Sequence, residues 1–482
     1  MRFPAITTAA FAALIAAGCG GTQGTGAGAS DIVPASAPVF IQIDTDPGSA
    51  QWKMVNALAG HFPGKQKAVI ALKKNILESG GFDWEKDVKP ALGKELDLVG
   101  LDLDNGGKDF VALLQPRDES KFADVIRRGN AKDKTATVVY DKFNGWEVLS
   151  DSRAMISRFE QASKNEQTAL SDDPGFRRAS HELSDAVVRA YVNGPAVMSK
   201  LRATIGANNH DLVRKFGTLD WLGANLAATS SGVALNVVLH GTPGTLFKRL
   251  HFTSYRSHLA STVPQDALLY WTFHGSGGAF GGLSSTSPVL GAPQFRGFRD
   301  VLGQVGKVMA GEDALYVRRA PSAGIPEIAL VTEPAPGTDA AATLDRLLRR
   351  FRAELHATPR PTSIAGTRAR ALRFGSFGID YANVGDKFVV TNYPDGIWGV
   401  KLDVKLAQSP DYQDAVRSAG LPAKTQGYLY VNIHSTVPLV ERLAHTPLPN
   451  EVRRNLAPLR SALEYEVARS HELEVSFFLR IR

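Results

Sequence analysis

Two stretches of this chain begin alike, and that constrains its fold more than any other feature. Val33-Pro34 opens VPASAPVFIQIDTD and Val263-Pro264 opens VPQDALLYWTFHG, each a Val-Pro start running into a strand rich in aromatic and β-branched residues. Further pairs follow in the same order. Phe110-VALLQ-Pro116 aligns with Ile328-ALVTE-Pro334 at a shift of 218 (328 − 110), and Gly93 meets Gly311 and Val99 meets Val317 at that same shift. Gly145-WEVLSD is similar to Asp386-KFVVTN, and LSDDPGFRRA to LAQSPDYQDA, with Pro174 opposite Pro410. Ala190-YVN matches Leu429-YVN, and LNVVLHG near Val237 is similar to LEVSFFLRI near Phe477. Small changes of shift between blocks are what loop insertions produce. The body therefore reads as one unit written twice.

Each half reads as a strand, one or two helices, a hairpin, a helix, a second hairpin, a pair of helices around a strand, and a closing hairpin. Hairpins joined by short loops imply mainly antiparallel pairing, so the expected fold is α+β, with two tandem homologous lobes. The alternation in Leu96-DLVGLDL and Val233-ALNVVL suggests sheets with one polar and one apolar side. A chain of 482 residues is too long for one ordinary core and suits two domains of roughly 200 residues. The expected boundaries are residues 1–18 as a signal peptide, 19–32 as a flexible tether, 33–242 as the first lobe, 243–262 as a connector with a short helix in LFKRLHF, and 263–482 as the second lobe.

The N-terminus gives a location. Arg2 precedes an apolar run from Ala9 to Ala17, and Gly18 sits before Cys19, the only cysteine. The run is too short to cross a bilayer and has the layout of an export signal. A lone cysteine after Ala-Ala-Gly resembles the lipobox of bacterial lipoproteins, which implies lipidation of Cys19. Leu14 lies further upstream than the leucine of the commonest lipobox, where this chain has Ala16. With Cys19 acylated, no thiol remains for a disulfide, and two or more acyl chains anchor stably where one does not. The expected location is the cell envelope, outside the cytosol and attached to a membrane through the N-terminal lipid.

The segment GFDWEKDVKPALGKELDL with the following DFVALLQPRDESKFADVI resembles a bacterial family known as domain of unknown function 3352. The resemblance is clearest from Val33 to Arg128. It implies exported, often lipid-anchored proteins with no assigned activity, and its motifs are turn and packing features that carry no functional residues over.

No catalytic motif emerges. Asp102, Asp104 and Asp109 cluster in DLDNGGKD, but Gly106 and Leu113 stand where a calcium loop needs oxygen ligands, and Asn105-Gly106 suits a hairpin turn. Gly275–Ser285 (GSGGAFGGLSS) follows a strand, yet no GK[ST] follows and Phe280 replaces a fingerprint glycine. His251 and His258 are seven apart, and His240 and His274 each end a strand; none forms a zinc motif. FGSFG misplaces Ser376 for a nucleophile elbow. Asp44 and Asp46 end the first strand, and their second-half counterparts read as Phe273 and Gly275. No cofactor and no metal site is expected.

The net charge is +7, with arginine clusters at 346–352, 368–373 and 453–460. RLLRRFR places Leu347, Leu348 and Phe351 at helical spacing, so its arginines read first as a solvated helix face and second as a surface for anionic headgroups or acidic wall polymers. Nucleic acid does not suit the location. The sequence thus points to a non-catalytic binding or scaffold protein whose partners are a membrane, through its lipid, and a hydrophobic ligand or envelope protein; the alternative is an extracytoplasmic hydrolase with no recognisable motif.

Overall fold

The structure, a computed structural model, describes residues 28–104, 108–133, 137–166, 168–182, 185–205, 217–244, 254–275, 308–319, 325–350, 352, 356–374 and 377–482. Cys19, Asn105-Gly106, LFKRLHF with His251, residues 276–285 of the glycine-rich run, and Ser376 lie outside them. The fold is α+β with antiparallel sheet. It divides into two compact units, Met1–Thr245 with Ser470–Ser476 and Ile481–Arg482, and Leu246–Arg469 with Phe477–Arg480. Among the described residues, no helix is long and apolar enough to cross a membrane.

The first unit contains, in chain order, β1 (Val39–Asp44), α1 (Ala50–Ala59), α2 (Lys65–Asn75), β2 (Glu95–Gly100), β3 (Phe110–Leu114), α3 (Glu119–Lys132), β4 (Val139–Phe143), β5 (Trp146–Ser150), α4 (Arg153–Asn165), α5 (Pro174–Glu182), β6 (Val188–Asn193), α6 (Gly194–Ile205), β7 (Gly217–Ala228) and β8 (Gly232–Pro243). This follows the expected order except that two helices, α4 and α5, precede β6 where one was expected. Antiparallel neighbours run β8-β7-β6-β1-β2-β3-β5-β4. Local chemistry fixes the joints. Asp118 caps α3 by accepting from the Lys121 amide, and Asn144-Gly145, both at positive φ, form the tight turn between β4 and β5. The core gathers Phe40, Val99, Leu113, Trp146, Tyr191 and Trp221 from the strands with Ile156 and Phe159 from α4. Ala29 and Val33 are buried in the same core, so the described residues 29–32 of the expected tether pack with the body.

The second unit contains β9 (Leu269–His274), β10 (Met309–Arg318), β11 (Glu327–Pro334), α7 (Ala340–Arg350), β12 (Arg360–Ile364), β13 (Thr367–Phe374), β14 (Phe377–Val384), β15 (Lys387–Thr391), α8 (Pro394–Gly399), α9 (Pro410–Ala419), β16 (Gly427–Val431), α10 (Ile433–Leu443), α11 (Asn450–Leu456) and β17 (Leu459–Arg469); residues of β18 (Glu472–Ile481) fall in both units. Neighbours run β17-β16-β9-β10-β11-β15-β14-β13-β12, all antiparallel. One side of the sheet packs Tyr270, Tyr316 and Tyr430 into a core, while Leu344 and Leu348 of α7 cover Leu372, Ile379 and Phe388 on the other.

Register refines the alignment between the halves. Phe40 pairs with Val99 and with Tyr191, and Tyr270 pairs with Tyr316 and with Tyr430. The place of Val99 is thus held by Tyr316, one residue before the expected Val317. The chain between paired positions of β2 and β3 runs 12 residues (111 − 99), and between those of β10 and β11 it runs 13 (329 − 316), so the connecting loop absorbs the difference. Asp44 pairs with Glu95, next to Ile43 opposite Leu96; in β9 the residue next to Phe273 is His274, which takes the place expected for Phe273.

One buried ion pair ties β10 to β11. Arg318 Nε donates to Glu327 Oε1 at 2.7 Å, and Arg318 Nη2 donates to the Asp395 carbonyl at 2.8 Å. Glu327 is fully buried, so removing its cation strands a charge in the interior. Arg318→Ala is expected to lower unfolding free energy by about 3–5 kcal/mol, whereas replacing both partners by Met and Leu should cost far less. Urea denaturation of the three proteins checks this; equal losses for the single and double variants would contradict it.

Candidate binding face

Side chains alternate across a strand, so register assigns each residue of the first unit's sheet to one side or the other. The core side carries Phe40, Val99, Tyr191, Trp221 and Val238. Two residues along each strand, that same side turns polar. Gln42 pairs with Asp97 and with Arg189, Arg189 with Asn225, and Asn225 with Asn236. Hydrogen bonds link much of this row: Arg189 Nη1 to Gln42 Oε1 (3.1 Å), Gln42 Nε2 to Glu95 Oε2 (2.7 Å), and Asn236 Nδ2 to Asn225 Oδ1 (3.1 Å). Asp97 is fully buried and neither carboxylate oxygen has a hydrogen-bond partner. Burial, with the charge of Glu95 second, pushes its pKa up to about 9, so Asp97 is a neutral acid at pH 7.

The opposite side of β1, β6, β7 and β8 is apolar in three consecutive rows. Val39, Val192, Leu222 and Leu239 form one; Ile41, Ala190, Ala224 and Val237 the next; Ile43, Val188, Leu226 and Leu235 the third. On β2, Leu98 extends the middle row and Leu96 the third. Ile43 and Leu96 are buried, but the middle row and most of the first are half-buried, and exposure rises to 38% at Leu226 and 40% at Leu235. The expected split into one polar and one apolar side does not hold across these strands: the core side is mixed, and Asn225 is 2% exposed while its neighbour Leu226 faces solvent.

The second unit holds the densest polar cluster. Glu312, nearly buried on β10, accepts hydrogen bonds from Ser257 Oγ (2.6 Å), Thr272 Oγ1 (2.7 Å), and the amides of His258 (2.7 Å) and Leu259 (3.2 Å). The His258 ring reaches Glu312 through Nδ1 (2.9 Å) and Glu333 through Nε2 (2.7 Å), and Lys387 Nζ meets Glu333 at 2.6 Å. Burial works against a charge on His258, but Glu333 and Glu312 outweigh it and raise its pKa. Ser257 and His258 converge on one carboxylate. A nucleophile would instead bond to the base, and the base to the acid. Glu312 therefore serves as an anchor for the turn entering Leu259–Ser261.

The residues singled out in the sequence fall into structural roles. Asp102 and Asp109 both engage Arg158, and Asp104 engages Lys200, so these acids are neutralised by cations. Among the described residues, no group of three or more His, Cys, Asp or Glu could hold a metal ion. Asp46 pairs with Arg117 at 2.8 Å, and Asp44 accepts from the Asp46 amide at 2.8 Å. His240 stacks on Trp221 with ring centres 5.4 Å apart and meets Asp220 at 3.0 Å. Sequence reasoning missed the apolar outer rows and the buried polar row, because both emerge only when four strands are set in register.

Asp97 gives a pH prediction. Its folded pKa lies above the unfolded value, so the folded state holds a proton that the unfolded chain loses above about pH 4. Its contribution to stability is complete below that point and falls as pH rises toward about 9. Asp97→Asn should flatten the decline of the urea midpoint between these pH values and raise stability at pH 8. An unchanged pH profile would refute the neutral acid.

Residues 4–157 match the model of a family described as "Protein of unknown function (DUF3352)", the family the sequence resembles. No curated protein matches the chain. Among solved structures, crystal form III of TP0453 aligns at 12% identity and a TM-score of 0.27, covering 45% of this chain and 78% of that one. Crystal form IV of TP0453 aligns at 14% identity and a TM-score of 0.26, covering 45% and 76%.

Proposed function

We propose that this is a lipid-anchored protein of the cell envelope, held to its membrane through Cys19, which binds an apolar ligand on the outer side of the first unit's sheet and carries out no chemistry. The observation that supports this reading is the polarity of two adjacent rows of β7 and β8. A water-facing antiparallel sheet ordinarily places polar residues outside. Here Leu226 and Leu235 sit outside and Asn225 and Asn236 inside. Fully burying a leucine is worth roughly 1.5–3 kcal/mol, so a ligand that covers these rows recovers energy the fold alone leaves unused. Contiguous apolar surface of this kind commonly marks an interaction site. The arrangement of Ser257, His258 and Glu312 does not support the hydrolase reading, since Ser257 donates to Glu312 and not to the His258 ring.

Two measurements test the proposal. Leu226→Gln with Leu235→Gln should weaken binding of a fluorescent fatty acid about tenfold or more, with the melting temperature changed little because both side chains are exposed and no like charges face each other across the strands. A wild-type protein that fails to bind the probe, or a double variant that binds equally well, would rule the face out. For the anchor, Cys19→Ser should move the protein from the membrane pellet to the soluble fraction. Retention in the pellet after a salt wash would defeat it.

A further inference from the structure

We propose that the second unit carries a docking patch for anionic lipid headgroups, built from the exposed side of α7 and the adjoining strand β13. The arginines that read as one amphipathic helix in the sequence are joined in the structure by a second element. Leu344 and Leu348 seat α7 on Leu372 of β13, and on that side of the strand, register places Arg368 and Arg370 beside Leu372. Asp345 ties the two together, meeting Arg349 at 2.9 Å and Arg370 at 3.7 Å. It is the only carboxylate among the described residues there that meets an arginine of the group. Arg346, Arg350, Arg352 and Arg368 are exposed and meet no carboxylate among the described residues. Six arginines against Asp345 and Asp339, whose charge reaches Arg346, leave a local charge of four (6 − 2).

A solvated helix face interleaves both signs of charge, and this patch does not. The committed occupant is an anionic bilayer, and this rests on the anchored reading above. The segment from Cys19 to Gly28 extends at most about 3.5 Å per residue, so an anchored body stays within reach of headgroups at high local concentration. A patch of charge acts only over about a Debye length, ~8–10 Å at physiological salt, so it needs that proximity. A lipid anchor and a basic patch are also complementary signals for stable attachment.

The test uses the full chain bearing Cys19→Ser, so the patch is read without the anchor. Binding is measured to vesicles of phosphatidylglycerol with phosphatidylcholine and to phosphatidylcholine alone, and the ratio is compared between variants. Each arginine near such a surface is worth about fivefold in affinity. The triple variant Arg350→Gln, Arg352→Gln, Arg368→Gln should therefore lower the ratio roughly a hundredfold, and the same three changed to Lys should keep it. A control triple on the first unit, Arg127→Gln, Arg177→Gln, Arg178→Gln, should change it little. Raising salt to about 1 M, where the Debye length is ~3 Å, should abolish the preference. No preference for anionic vesicles, equal loss in the control triple, or binding to polyglutamate but not to anionic vesicles would overturn the proposal. Release of Cys19→Ser from cell membranes bears on the anchor alone, so the two readings fail separately.

Discussion

The register of β1 decides which side of the first sheet is inside. Phe40 sits between Val99 and Tyr191, and that row continues through Gly223 to Val238, with Trp221 on the same side of β7. A slip by one residue would turn every side chain of β1 to the other side. Phe40 would be expelled from the core, forfeiting the large burial an aromatic provides. The same register carries a consequence. Asn225 lies on the same side of β7 as Trp221, and Asn236 on the same side of β8 as Val238, so burying the apolar pair buries the amides too. Their mutual hydrogen bond at 3.1 Å limits the penalty to something near neutral. Leu222, Leu226, Leu235 and Leu239 are then committed to the outer side. The apolar face follows from the same pairing that closes the core.

Much of the architecture is legible in the residues. The Val-Pro openings, the Asn144-Gly145 turn and the strand motifs around Phe110 and Tyr191 each report a local preference, and local preferences add up along a chain. The family resemblance rested on the same local features and matches residues 4–157. What failed to show was non-local. The one-residue offset that puts Tyr316 opposite Tyr270 depends on a loop length, and the eye aligns identical letters across it. Asp97 reads as an ordinary polar residue of an alternating strand. Its burial emerges only because β1 on one side and β3 on the other, with Leu113 opposite it, complete the sheet. The site was less legible than the fold for this reason: it is a property of four strands at once.

The buried acids show how differently one sheet chemistry resolves. Glu312 collects three hydroxyls, two amides and an imidazole. Asp97 has no such partners, and protonation is the physical outcome. Asp313, the very next residue after Glu312, points to the other side of β10, where burial pushes its pKa up to about 8. Adjacent residues on one strand thus meet different hydrogen-bond partners because the pleat sends them into different surroundings. A serine, a histidine and a glutamate close together are a catalytic set only when their bonds run in sequence. Here they radiate from one acceptor that holds down a turn, and the chemistry of that geometry is cohesion.

The two surfaces proposed for ligands differ in the force they use, and this makes them separable. The leucine rows of the first unit offer area without charge, so their interaction strengthens or holds as salt rises. The arginine patch of the second unit offers charge with little apolar area, so its interaction decays with salt. A protein tethered at one end needs neither surface to be strong, because the tether already supplies a high local concentration. Weak, chemically distinct contacts are then sufficient on the proposed reading: one would recognise hydrocarbon and the other anionic headgroups.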